Sequence, residues 1–218
     1  MGMSGKAILQ WSAVLCVLGA LTAYAMRSDG GPVALAATPV GGLTFAPEFP
    51  EADRRWVRAA LASARPEARH LIDHVDGRTR IVPFYEPGGY WLGWAEPQPN
   101  GRYEVRLNLA RLDGERRTDR SAVTIHELGH VVDFALVPDD LRDRLAAQVP
   151  RSGACPAGIA DDCARSPERF ADTFAKWALR GELSLAGAGY GLPAPASLEE
   201  WGAPLAKLAV DLEVASRR

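Results

Sequence analysis

The feature that most constrains this chain is the run His126-Glu127-Leu128-Gly129-His130, set in a stretch over 121–136 that is otherwise almost wholly apolar. The spacing of the apolar residues predicts a helix there. Two histidines four apart on a helix lie about 40° apart around its axis, so both imidazoles can reach one metal ion. Glu127 is turned by about 100° from His126, beside that ion, where it can take a proton from water. Ala122, Val123, Ile125, Leu128, Val131, Val132, Phe134, Ala135 and Leu136 cover most of the circumference, the pattern of a helix inside a core. His126, His130 and Asp133 form its polar strip. A core helix does not bury such a strip without a compensating partner. A zinc ion fits that role.

With 218 residues, 47% of them hydrophobic and 24% charged, the chain suits one globular domain plus appendages. A net charge of -2 and the lack of a long basic run give no case for nucleic acid as a partner. Lys6 precedes an apolar stretch over 7–25 that ends in Ala23-Tyr24-Ala25, a small-residue cleavage pattern. Residues 1–25 are therefore expected to be a signal peptide. Their length also approaches the roughly 20 residues that span a bilayer, so an uncleaved membrane anchor is the rival. Either makes the rest of the chain secreted or membrane-anchored, facing the extracytoplasmic side. Residues 26–42, rich in Gly, Pro and Ala without periodicity, form a flexible linker, which leaves 43–218 as the domain. Cys155 and Cys163 are the only cysteines beyond the targeting segment. In an oxidising compartment they are expected to close the loop between them as a disulfide.

Helical spacing is present over 51–64 and again from Pro66 to about residue 75. The second of these carries His70 and His74 at metal-ligand spacing but without a glutamate in the general-base position, and is expected to be a partly exposed surface helix. Strand texture follows at 80–85, 90–94 and 103–109. The last alternates cleanly, with Tyr103, Val105, Leu107 and Leu109 on one face and Glu104, Arg106 and Asn108 on the other. That predicts a half-buried antiparallel strand at a sheet edge. The aromatic residues of this region are expected in the core. Thr118-Asp119 caps the central helix, and further helices are expected over 139–149, 166–180 and 198–216.

Two histidines do not hold a catalytic zinc, so a third protein ligand is required. No histidine follows His130, which leaves a downstream carboxylate, a cysteine or an upstream histidine. Glu168 and Asp172 stand out. They are four apart on a helix, at the border of an apolar arc made by Phe170, Ala171, Phe174, Ala175, Ala178 and Leu179, with Arg169, Thr173, Lys176 and Arg180 on the expected solvated side. Two acids at that border call for positive charge opposite them. The division expected is Glu168 on the metal and Asp172 hydrogen-bonded to the outer ring nitrogen of a ligating histidine. The bland alternative is that Glu168 serves its helix N-terminus and Asp172 pairs with Lys176.

His126-Glu-Leu-Gly-His130 followed by Glu168-x-x-x-Asp172 resembles the gluzincin metallopeptidases. The run from Ser166 to Ala175, with Asp133 behind the first motif, is more similar to their anthrax lethal factor-like branch. The resemblance implies an α+β, zincin-like fold, with a small, mostly antiparallel sheet over the central helix and helices on the C-terminal side. It also implies one catalytic Zn2+, an endopeptidase activity on protein or peptide substrates, and an edge strand binding extended substrate backbone, for which Val105 and Leu107 are in the right place. Members often supply a tyrosine or histidine to the oxyanion; none lies shortly before Glu168, and Tyr190 is the candidate. The rival function is a catalytically inert, zinc-stabilised binding module of the cell envelope. It has no need of Glu127.

Overall fold

The computed structural model describes residues 43–114, 119–150, 166–181 and 192–217. Residues 1–42, Thr118, Cys155, Cys163 and Tyr190 lie outside them, and with them the leader, the linker, the disulfide and the expected oxyanion tyrosine. The described chain is α+β. Its strands are β1 (Thr44–Phe45), β2 (Thr79–Phe84), β3 (Gly93–Pro97) and β4 (Tyr103–Asn108). Its helices are α1 (Glu51–Ser63), α2 (Pro66–Asp76), α3 (Arg120–Leu136), α4 (Asp139–Gln148), α5 (Ser166–Ala178) and α6 (Leu198–Ser216). All belong to one compact unit, Pro39–Arg218. Among the described residues no helix is long and apolar enough to cross a membrane.

Each helix is placed by its apolar face. Val57, Ala60 and Leu61 of α1 and Ala68, Leu71, Ile72 and Val75 of α2 are buried, and both helices pack on α3. The Asp119 carboxylate caps α3 by accepting from the Ala122 N–H at 3.0 Å. From Ala122 to Asp133 every residue of α3 is buried, because α1, α2, α5, β3 and β4 surround it. Over 122–133 the helix therefore has no solvated face, as its sequence requires.

The sheet order is β1-β2-β4-β3. β1 with β2 and β2 with β4 run parallel, and only β3 with β4 is antiparallel. This corrects two expectations. The sheet is mixed rather than mostly antiparallel, and the strand of Val105 and Leu107 is interior. Both side chains are completely buried, and among the described residues β3 forms the edge. The alternation of β4 had identified its buried face; it carried no information about neighbours on either side. A third correction concerns the aromatic residues. The strand expected over 90–94 starts at Gly93, as β3, so Tyr90 and Trp91 fall in the preceding loop, where they and Tyr85 are exposed. Asn108, expected on the solvent face, is fully buried.

α5 also departs from expectation. Its supposed solvated residues Arg169, Thr173 and Lys176 are buried. Arg169 donates to the carbonyls of Ala146, at 3.2 Å, and of Val149, capping the end of α4. On the next turns Phe174, Trp177 and Ala178 enter the core. Trp177 lies so close to α6 that a Cβ on Gly202 would sit 1.9 Å from its Nε1. Only a glycine fits there.

Asp76, the last residue of α2, supplies a test of this packing. It is buried, its Oδ1 has no hydrogen-bond partner among the described residues, and burial together with the charge of Asp73 pushes its pKa up to about 6. A carboxyl raised in the fold stabilises fully below its unfolded pKa, and that contribution is lost as pH rises through the folded value. Asp76→Asn should therefore raise unfolding free energy at pH 8 by about 1–2 kcal/mol, after allowing for the water that still reaches the group. The gain should shrink toward zero at pH 4. Urea denaturation at the two pH values checks it, and equal stability at pH 8 contradicts it.

Candidate metal centre

The site begins with a glycine. A Cβ on Gly129 would lie 3.0 Å from Phe174 Cδ1 and 3.3 Å from the Ala171 Cα, so the absent side chain lets the α5 backbone close on α3. Glu168 stands three residues before Ala171, on the same face of α5. Its Oε2 reaches 3.2 Å from His126 Nε2 and 3.3 Å from His130 Nε2. The two imidazoles meet edge to face, with centroids 4.8 Å apart. One ligand atom from each of the three residues can be chosen so that all lie within 4.8 Å of one another. Both histidines are buried, whereas the Glu168 side chain keeps 21% exposure. The cluster thus faces a cleft of about 230 Å³.

Two imidazole nitrogens and a carboxylate oxygen, one side open, make a donor set suited to a divalent metal with a position left for another ligand. The electrostatics agree. Burial opposes ionisation of Glu168, but hydrogen bonds and charge from His126 and His130 outweigh it and hold the carboxyl well below its usual range. For His126, burial disfavours the cation; the hydrogen bond to Glu168 and the charges of Glu127, Glu168 and Asp172 overcome that and raise its pKa. His130 Nδ1 is buried without a hydrogen-bond partner among the described residues. The residues present fit a metal.

Glu127 lines the same cleft. It is buried, its Oε2 has no hydrogen-bond partner among the described residues, and burial raises its pKa against the pull of the two histidines. Its other oxygen packs on the start of β3, where a Cβ added to Gly93 would stand 2.9 Å from Glu127 Oε1 and 2.9 Å from the Arg106 carbonyl oxygen. Gly93 is therefore a site residue that the sequence reading missed. The available signal was a glycine between two tryptophans in a strand, a common mark of close backbone approach.

The remaining candidates separate. Asp172 is ion-paired with the buried Lys176, which also donates to the Leu192 carbonyl. What the structure shows for it is the alternative pairing, not the expected hydrogen bond to a histidine; it acts on His126 through space. Asp133 accepts from Arg142 Nε at 2.6 Å, and Arg142 Nη2 also donates to the Asp133 and Val137 carbonyls at 3.0 and 3.1 Å. Asp133, placed by the sequence on the polar strip with the histidines, is thus the partner of a cation, and Arg142 caps the end of α3. Val105 and Leu107 are core residues away from the cleft lining. His70 sits at the surface 3.7 Å from Glu213, and His74 Nδ1 is 2.9 Å from the His70 carbonyl oxygen. Neither belongs to the metal-ligating group found among the described residues.

No family model, curated protein or solved structure matches the chain. The geometry alone makes a quantitative demand. Glu168→Ala should weaken divalent metal binding by more than about a hundredfold, beyond what residues outside the ligand shell control. Its helical circular dichroism should persist. Metal titration with a chromophoric chelator reads this, and unchanged affinity would reassign the third ligand.

Proposed function

We propose that the chain is a zinc-dependent endopeptidase acting outside the cytoplasm, and that its α+β arrangement is zincin-like. The observation that carries this is Glu127. A buried carboxylate, unsatisfied at one oxygen among the described residues, shares a cleft with a three-residue cluster able to hold a metal, two of whose members, His126 and His130, stand on the same helix. A zinc ion held by His126, His130 and Glu168 would polarise a substrate carbonyl and lower the pKa of water toward about 7.

The chain's own residues then have defined tasks. Glu127 takes a proton from the attacking water and returns it to the leaving amine. Burial, which moves its pKa upward, suits a group that must both accept and release that proton. Glu168 stays anionic, as a ligand must. β3 ends the sheet among the described residues, and its residues Gly93, Trp94 and Ala95 line the cleft. We therefore assign the extended substrate backbone to β3 rather than to β4. The extracytoplasmic placement rests on residues 1–25, and the Cys155–Cys163 disulfide belongs to the same proposal. An inert zinc-stabilised module would leave Glu127 without a task.

Glu127→Gln separates the two functions. It should retain one zinc per chain and lose peptide hydrolysis by about 10²–10⁴-fold, the range of general-base catalysis. A Glu127→Gln enzyme with unimpaired turnover on a peptide library would contradict the mechanism.

A further inference from the structure

Large apolar side chains left in water ask for an explanation when they gather beside a site. Trp91 is 41% exposed and Phe134 38% exposed, and both line the cleft that holds His126, Glu127 and Glu168. They come from different elements. Phe134 stacks on the His130 ring, with centroids 5.9 Å apart and planes 19° from parallel. Trp91 comes from the loop between β2 and β3, where Tyr90 packs edge-on against it at 5.7 Å. Trp94 and Ala95 continue the apolar lining along β3.

That loop is braced from beneath. Its turn closes with the Gly89 N–H donating to the Glu86 carbonyl at 3.0 Å. Asn108, fully buried at the end of β4, commits its whole amide to the loop. Nδ2 donates to the Glu86 and Trp91 carbonyls, both at 2.9 Å, and Oδ1 accepts from the Glu86 N–H at 3.1 Å. Arg111 Nη1 donates to the carbonyls of Gly89 at 2.6 Å and Tyr90 at 2.8 Å. Five side-chain hydrogen bonds on one short loop restrict its backbone, yet the aromatic rings it carries remain bare. Such bracing is what preorganisation of a binding surface requires.

Resting on the peptidase proposal, we propose that Trp91 and Phe134 form the walls of a subsite for one bulky apolar side chain of the substrate, and that Asn108 and Arg111 are positioning residues that hold Trp91 there. The chemistry favours an apolar occupant. Among the described residues the ionisable groups of the cleft are those of the metal cluster and Glu127, which the proposed reaction already uses. The rest of the lining among the described residues offers rings and a methyl group; its polar side-chain atoms are the indole N–H groups of Trp91 and Trp94, and it has no charged side chain.

The test is peptide binding to the full chain carrying Glu127→Gln and loaded with zinc, so that affinity is read without turnover. Synthetic peptides identical except for one central residue, Phe, Leu, Lys or Gly, serve as probes. The Phe and Leu peptides should bind at least about tenfold more tightly than the Gly peptide, with Lys near Gly, a contrast typical of an apolar pocket. Adding Trp91→Ala with Phe134→Ala should collapse that contrast to about threefold or less. Both residues are partly exposed, so the fold is not at stake. Arg111→Ala should collapse it as well without altering zinc content, and carries the positioning claim if Asn108→Ala does not fold. Equal binding of Phe and Gly peptides, or a contrast that survives the double replacement, overturns the subsite. A contrast untouched by Arg111→Ala overturns the positioning role. If the contrast is present but the unmodified chain cleaves none of these peptides, the peptidase proposal fails while the subsite stands. If no peptide binds, the subsite fails.

Discussion

The contact at Gly129 places α5 against α3 so closely that Ala171 Cα and the Phe174 ring occupy the space a side chain would need. Helix axes commonly pack 8–10 Å apart according to the side chains between them, and small residues at the crossing let polar neighbours meet. Here the meeting groups are two imidazoles and a carboxylate. Each alone would be costly to bury. Together they offset one another: the histidines hold Glu168 ionised, and Glu168 with its acidic neighbours raises the pKa of His126. The cluster works as a unit, and losing one member leaves the others uncompensated.

The rest of the domain keeps that crossing in register. Arg142 ties the end of α3 through Asp133, and Arg169 of α5 ties the end of α4. Lys176, paired with Asp172 and the Leu192 carbonyl, links α5 to the segment that leads into α6. Trp177 seats α5 under the bare Gly202. β3 then closes over Glu127 at Gly93. Metal cluster, general-base candidate and edge strand are thus positioned by the same packing that forms the core.

Much of this was legible in the sequence because helical periodicity reports on faces. The enclosed character of α3 and the inward direction of His126 and His130 follow from a 3.6-residue period and one polar strip. The border position of Glu168 follows in the same way. Where the sequence failed, the missing quantity was a tertiary neighbour. A wheel put Asp172 beside the site but could not choose between a histidine ring and Lys176 one turn along, and the nearer, oppositely charged side chain took it. The same wheel called Arg169 and Lys176 solvated, since it has no knowledge of the carbonyls that α4 and the α6 approach bring to them. Two-residue alternation marked the buried face of β4 but not its interior rank. It also misplaced Asn108, whose amide serves a loop and not the sheet face. Tyr90 and Trp91 read as core because aromatic residues usually are.

The most direct measurement is anomalous diffraction at the zinc edge from crystals of the zinc-loaded chain. A single strong peak within bonding distance of His126 Nε2, His130 Nε2 and a Glu168 oxygen is the predicted result. A zinc ion bound elsewhere, or coordinated without Glu168, would contradict the two-helix site.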